Sequence, residues 1–244
     1  MTEFPPGSLG DKKIFVTGAT RGIGRAIAAA FREQGAYVIG TRTSDVDKAH
    51  DICNEYFRAD FTDMNHIRAC ADFVRKVAPD VLVNNAGINK IASFTEIDPE
   101  DFQRIQQVNV LAPFFLCQAA IPGMRSKRWG RIVNLSSIWG KISKECRASY
   151  SASKFALDGM TIALAAEHAT DGILANCVAP GFTDTELTRK VLGDEQIRQI
   201  VAMVPARRMA SVEEIARLVV WLGGPENTYL TGQNIAIDGG FCRV

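Results

Sequence analysis

Ile14-Phe15-Val16-Thr17-Gly18-Ala19-Thr20-Arg21-Gly22-Ile23-Gly24 runs from a short apolar stretch straight into a turn with glycines at 18, 22 and 24. The first three residues suit a buried strand, and a helical pattern follows over 25–34 until Gly35 stops it. Residues 36–40, Ala-Tyr-Val-Ile-Gly, then supply a second strand. A strand, a glycine turn, a helix and a strand make a βαβ unit. Gly18 permits the tight turn, while Gly22 and Gly24 let the backbone and helix start approach a bound diphosphate. A glycine turn between strand and helix is the context that a dinucleotide site requires.

The same alternation continues outward. Strands are expected at 56–58, 81–83, 131–135, 173–178 and 234–237, and helices at 64–76, from 98 past Asn109, at 148–167 and from Ser211. Asp98 before Pro99 reads as an N-cap followed by proline at the first helical position, and Pro113 is expected to bend or interrupt that helix. Ser211-Val212-Glu213-Glu214 reads as a capping box. Residues 183–206 carry no strand period and lie beyond a strand end, so they are expected to form a mobile helical lid. The fold class that follows is α/β: a Rossmann-type, doubly wound, seven-stranded parallel sheet in a single domain over 11–244, preceded by a loose arm at 1–10.

Composition narrows the function. A net charge of +1 over 244 residues predicts no strong attraction to nucleic acid, and no apolar stretch reaches the ~18 residues of a membrane span. The first residues lack the basic head and apolar run of a secretory signal, and the 6 cysteines form no C-x-x-C pair, so a reduced, cytoplasmic setting is expected, without zinc or a disulfide framework. His50, His66 and His168 are lone histidines without ligand spacing and read as surface residues, so no metal site is expected.

The chemistry is expected in Tyr150-Ser151-Ala152-Ser153-Lys154, with Ser137 upstream at the end of the 131–135 strand. On a helix Tyr150 and Lys154 share one face. A free phenol has a pKa of about 10, and an ammonium one turn away is expected to lower it, which would make Tyr150 usable as a general acid or base. The hydroxyl of Ser137 can donate and accept, so it suits a substrate oxygen.

Taken in order, Thr17-Gly18-x-x-x-Gly22-Ile23-Gly24, Asp60, Asn84-Asn85-Ala86-Gly87, Asn109, Ser137, Tyr150-x-x-x-Lys154, Pro180-Gly181-x-x-x-Thr185 and Asp238-Gly239-Gly240 resemble the short-chain dehydrogenase/reductase family over nearly the full chain. The resemblance implies that Tyr150 is the general acid in carbonyl reduction and the general base in alcohol oxidation. It implies that Lys154 holds the nicotinamide ribose, that Ser137 binds the substrate oxygen, and that Asn109 holds a water linking Lys154 to solvent. It places the diphosphate in the loop with Gly18, Thr20, Arg21, Gly22, Ile23 and Gly24, Asp60 and Phe61 by the adenine, and Asn85, Ala86 and Gly87 beside the adenosine ribose. Pro180, Gly181, Thr183 and Thr185 would fix the carboxamide. Asn84 and Asp238-Gly239-Gly240 are expected to be structural, and the family's usual homotetramer would form through helices near 99–120 and 148–168.

At the end of the second strand Arg42 stands where an acid would select NAD, and its guanidinium, with Thr43 and Ser44, suits a 2′-phosphate. NADP(H) is the expected cofactor, with NAD(H) as the alternative that Asp45 favours. The pattern is most like 3-oxoacyl-acyl carrier protein reductases, in which Arg128 matches a carrier-docking position. Asp171 stands at the second docking position and would repel an acidic carrier. Asn89, Lys90, Lys141, Ser143, Lys144 and Arg147 form a polar, basic rim that suits a sugar- or acid-type small-molecule carbonyl or alcohol substrate instead. A non-catalytic dinucleotide-binding redox sensor is the reading from another class, which the presence of Asn109, Ser137, Tyr150 and Lys154 opposes.

Overall fold

Strand β1 (Lys13–Val16) pairs in parallel with β2 (Tyr37–Arg42) on one side and with β4 (Val81–Asn84) on the other, so its carboxyl end opens where the strand order reverses. The remaining strands are β3 (Glu55–Arg58), β5 (Gly130–Leu135), β6 (Ile173–Pro180) and β7 (Asn234–Ile237), and the seven lie in the order β3-β2-β1-β4-β5-β6-β7. Every neighbouring pair is parallel. Open α/β sheets bind ligands in the crevice beyond the strand carboxyl ends at such a reversal. The structure is a computed structural model that describes residues 9–44, 52–191 and 193–243. Most of the expected arm, Asp45 and His50 lie outside the described residues. Leu9 lies within them, buried, with its backbone N–H donating to Gln34 O at 3.1 Å, so the packed chain begins earlier than residue 11.

Both faces of the sheet are covered, which is why its strands read as continuous apolar runs. Phe15, Leu82 and Ile132 face a core built with α2 (Met64–Val77) and α4 (Ala112–Lys127). Their chain neighbours Ile14, Val16, Val81, Val83 and Val133 face the opposite core, against α1 (Gly22–Glu33) and α8 (Val212–Gly223). The period of two along each strand thus divides two helix layers between two faces. At 25 cal/mol per Å² or so, burial on both faces is the main stabilising term.

The expected caps form. Asp98 accepts from Glu100 N at the start of α3 (Pro99–Gln106), and Ser211 and Glu214 close the capping box of α8. Between α3 and α4 lies a π turn, Gln107–Leu111, in which Ala112 N donates to Gln107 O. Pro113 was expected to bend or interrupt this helix. The irregularity instead lies one turn earlier, centred on Asn109, because Pro113 has no N–H and the Asn109 carbonyl loses the partner an unbroken α-helix would give it. The combined helix Pro99–Lys127 is long and apolar enough to cross a membrane by length and composition, contrary to the sequence expectation. Its Leu116, Ala119, Ala120 and Met124 are buried against α2 and the sheet, which makes it a core helix of this domain.

The segment expected as a lid contains α6 (Glu186–Val191) and α7 (Asp194–Met203). Helix α5 (Ala148–His168) packs beside β6 and carries the Tyr150 and Lys154 pair.

Candidate functional site

The glycine turn is fixed by side chains from two neighbouring strands. Thr41 Oγ1 accepts from Gly18 N at 2.9 Å, and Thr17 Oγ1 accepts from Asn85 N and Ala86 N, each at 2.9 Å. The Asn85 amide donates to Thr17 O at 2.9 Å and Gly18 O at 3.2 Å. Gly18 (φ 66°) and Gly22 (φ 53°) adopt left-handed backbone, and a Cβ on Gly24 would overlap Gly18 O and the Asn85 amide. Arg21, the residue before α1, makes no side-chain cap, so the first-turn N–H groups of this twelve-residue helix face the crevice. That bare, close cradle fits a dinucleotide diphosphate. Thr20 and Ile23 are half-buried, and Ile23 packs on the core.

At the β2 end, Arg42 is the last strand residue and its guanidinium lies 5.6 Å from the Tyr56 ring centroid. The β2–β3 register sets Arg58 directly beside Arg42. Arg58 carries no signal in the sequence alone, and together with Arg42 and exposed Thr43 it makes this end basic and hydroxyl-bearing, as a 2′-phosphate requires. Asp60 accepts from the Thr62 amide at 3.0 Å and hydroxyl at 2.8 Å, bonds that hold its carboxyl below the usual range. Phe61 is buried in the core with its carbonyl bonded to Gln107, so only its backbone borders the crevice.

Asn109 is buried, and its side chain is committed: Oδ1 accepts from Ile88 N at 2.9 Å while Nδ2 donates to Ile88 O at 2.9 Å and Ser153 Oγ at 3.0 Å. Any water it holds must therefore sit on its backbone carbonyl, the group released by Pro113. A Cβ on Gly87 would lie 3.3 Å from Asn109 Oδ1 and 3.6 Å from Lys154 Nζ, so Gly87 leaves room between the two. Asn84 donates to Asn134 Oδ1 at 2.8 Å, and Asp238 accepts from Gly240 and Cys242 amides, both structural roles as expected.

Ser137 follows β5, accepting from Trp139 N at 3.2 Å, and its hydroxyl stands near enough to Tyr150 to favour the phenolate. Ser136 instead turns inward to Lys154 O at 3.3 Å. Lys154 Nζ donates to Leu135 O at 2.6 Å and stands 5.5 Å from the Tyr150 ring centroid. This corrects the expected tuning of the phenol. Within the chain itself burial pushes the Tyr150 pKa up, outweighing the Ser137 hydroxyl and the Arg147 charge, while burial brings Lys154 down to about 8. The ammonium is the group of the pair that titrates near neutrality.

Beyond β6, a Cβ on Gly181 would lie 2.7 Å from Asp238 Cα, and Thr183 is buried with its hydroxyl on Gly181 O at 3.2 Å. Thr185 caps α6 by accepting from Thr188 N at 3.0 Å. Its methyl lies 3.7 Å from the position of a Gly22 Cβ, which brings the start of the lid segment against the glycine turn. The glycine turn thus lies beside Asn85, Ala86 and Thr185, and Gly87 beside Asn109 and Lys154. His66 and His168 are not free surface histidines. The first accepts from Asp60 N, and the second, with 12% side-chain exposure, bonds Asp171 at 3.1 Å.

A family model described as Enoyl-(Acyl carrier protein) reductase matches residues 18–242. The 3-oxoacyl-[acyl-carrier-protein] reductase FabG of Vibrio cholerae is 36% identical over 97% of this chain and 100% of its own length. A solved structure from Beutenbergia cavernae with bound NADP, named as an NAD(P)-dependent gluconate 5-dehydrogenase, is 34% identical with a TM-score of 0.93, covering 98% of this chain and 100% of that one. Another, from Agrobacterium tumefaciens, named as a 2-deoxy-D-gluconate 3-dehydrogenase with bound NADP, is 32% identical with a TM-score of 0.90 over 98% and 99% of the two chains. With this sheet, this crevice and these relatives, the chain belongs to the short-chain dehydrogenase/reductase family of NAD(P)-dependent oxidoreductases.

Proposed function

We propose that this chain interconverts a ketone and a secondary alcohol on a small polar substrate with NADP(H), using Tyr150 as general acid/base. The observation that carries the reading is the grouping of Ser137, Tyr150 and Lys154, with Lys154 Nζ 5.5 Å from the Tyr150 ring centroid, at the β5 end of a crevice whose β1 end is suited to a diphosphate. The nicotinamide, when bound, supplies or accepts the hydride. Ser137 holds the substrate oxygen by donating its hydroxyl proton, and Tyr150 gives its phenolic proton to that oxygen as negative charge develops. The Lys154 ammonium stabilises the resulting phenolate, and the Asn109 carbonyl provides a route for reprotonation. Arg42, Arg58 and Thr43 favour NADP(H) over NAD(H), in keeping with the NADP held by the two solved relatives.

The carrier-protein reductase reading draws on the curated relatives. Against it, Arg128 at the carrier-docking position is already within 3.8 Å of Asp171, which also accepts from Arg125 at 3.0 Å. An acidic carrier meeting that corner meets a carboxylate that already neutralises one of the two guanidinium charges. Leu111, Phe114, Phe155 and Ile162 leave exposed apolar side chains on the 99–127 and α5 helices, which supports association of copies through that face. A monomeric mass by light scattering would refute the association.

The test is NADPH consumption, repeated with NADH, on an acetoacetyl thioester beside a panel of keto-acids and keto-sugars. Turnover of a polar ketone with preference for NADPH is expected. Activity confined to the thioester would restore the carrier-protein reading, and silence with NADPH bound would favour the sensor.

A further inference from the structure

Of the four basic side chains at the expected pocket rim, two are used inside the protein. Lys90 is paired with Asp101, and Lys141 Nζ donates to Asn234 O at 2.7 Å. Ser143 is likewise tied to Ser151 at 2.8 Å. The other two bases converge on one ring: the Arg147 guanidinium lies 5.8 Å and Lys144 Nζ 5.9 Å from the Trp139 centroid. Trp139 is itself held edge-on between Phe182 and Phe241, at 6.4 and 6.2 Å, so the platform beneath the two cations is fixed.

Arg147 is the anomaly in this group. It is partly buried, its Nε is sealed from solvent without an acceptor, and its side chain makes no hydrogen bond or ion pair among the described residues. Burial accordingly lowers its pKa, the sign of a cation without a counter-charge. Tyr150 and Cys146 offset this burial only in part, and Lys144 is another cation, so no carboxylate among the described residues pairs with it. Buried charges are ordinarily paired, and a guanidinium left without a carboxylate at the mouth of an active site is suited to a carboxylate brought by the ligand.

Its position fixes which part of the ligand that is. Arg147 immediately precedes α5 and stands three residues before Tyr150, about 4.5 Å along the helix axis. The backbone N–H of Trp139 holds Ser137 Oγ, so the platform of Arg147 and the anchor of the substrate oxygen are the same short turn, Ile138–Gly140. An anion on Arg147 therefore belongs to the molecule whose oxygen lies between Ser137 and Tyr150.

We propose that Arg147 is a specificity-determining residue that binds a carboxylate of the substrate, with Trp139 beneath and Lys144 in support, so that the substrate is a keto acid and its hydroxy acid counterpart. This rests on the ketone/alcohol reading above. The reaction balances as hydride and proton added to the ketone carbon and oxygen at the expense of NADPH, and the carboxylate takes no part in bond making.

The experiment compares kcat/KM with saturating NADPH for two matched pairs, 5-keto-D-gluconate against D-fructose and acetoacetate against its methyl ester, in the wild type, Arg147→Gln and Arg147→Lys. NADPH fluorescence titration confirms that each variant is folded. The wild type is expected to prefer the acid of at least one pair, Arg147→Gln to reduce the acid-to-neutral ratio by roughly 10–100-fold, and Arg147→Lys to restore part of it. An equal loss on acid and neutral substrates would mean that Arg147 acts only through the Tyr150 proton and would overturn the proposal. No acid preference in the wild type would overturn it while leaving the ketone/alcohol reading standing. Turnover of neither pair would remove both.

Discussion

The carboxyl ends of β4 and β5 are neighbours in the sheet, and both carry polar residues into the crevice, yet the two sets are used differently. At the β4 end the amide N–H groups are spent on the protein, Asn84 on Asn134, Asn85 on Thr17 and Gly18, and Asn109, from the adjoining helix, on Ile88 and Ser153, while Asn84 Oδ1 is buried without a partner. At the β5 end Ser137 accepts from Trp139 N and has its hydroxyl near Tyr150, and the Arg147 side chain has no hydrogen-bond or ion-pair partner among the described residues. Buried polar groups that satisfy one another stabilise a unique backbone, whereas chemistry needs donors with capacity left over. On the function proposed above, the β4 end serves as the scaffold of the site and the β5 end as its reactive part.

Substitutions should separate the two. Of the two ends, the larger effect is expected at β5, where Ser137→Ala removes the hydroxyl proposed to hold the substrate oxygen. A fall of roughly 10²–10³ in kcat with an unchanged melting temperature is expected. If the melting temperature collapsed with the activity, Ser137 would belong with the scaffold. At the β4 end Asn85→Ala should do the reverse, destabilising the fold by about 1–3 kcal/mol in denaturant titration and weakening NADPH binding in step, because the Thr17–Gly18 carbonyls lose their donor. Retained stability with lost turnover would reverse the assignment.

The pH dependence sharpens the contrast within the β5 end. Burial keeps the Tyr150 phenol protonated, whereas Lys154 loses its charge as pH rises through about 8. The neutral amine no longer stabilises the phenolate that forms when Tyr150 gives up its proton. In the reductive direction kcat/KM is therefore expected to fall above about pH 8, and Lys154→Met to show a low, flat profile over the same range. An identical falling limb in the variant would assign it to another group of the coupled set. A smaller effect is expected at the far end of the crevice, where Arg42→Ala should raise the KM for NADPH roughly 10-fold and leave that for NADH nearly unchanged. The smallest is Asp171→Asn, which leaves turnover of small ketones unchanged. A gain on carrier-bound thioesters in that variant would reopen the docking role of Arg128.

Much of this was legible in the sequence. The strands and the 148–167 helix follow from apolar period and caps, and the glycine spacing at 18, 22 and 24 places the diphosphate cradle because each position excludes a Cβ for a local reason. What was not legible depends on register or burial. Arg58 joins Arg42 only through the pairing of β2 with β3, which no local pattern encodes. The π turn at Asn109 is a response to Pro113 that appears one turn upstream of its cause. The direction of the Tyr150 shift depends on the depth of the phenol and on Lys154 turning to Leu135 O, neither of which i, i+4 spacing fixes. The rim bases look alike in sequence, and only their partners distinguish Arg147 from Lys90 and Lys141.

The most direct test of the central claim is Tyr150→Phe, read in two channels: NADPH binding by fluorescence titration, and single-turnover NADPH oxidation with the best ketone of the panel. The variant keeps the ring and removes the proton donor. Binding within the wild-type range with the chemical step slowed by roughly 10²–10⁴-fold is the predicted result. An unchanged chemical step would contradict the assignment of Tyr150 as the acid/base and, with it, the division of the crevice into scaffold and reactive ends.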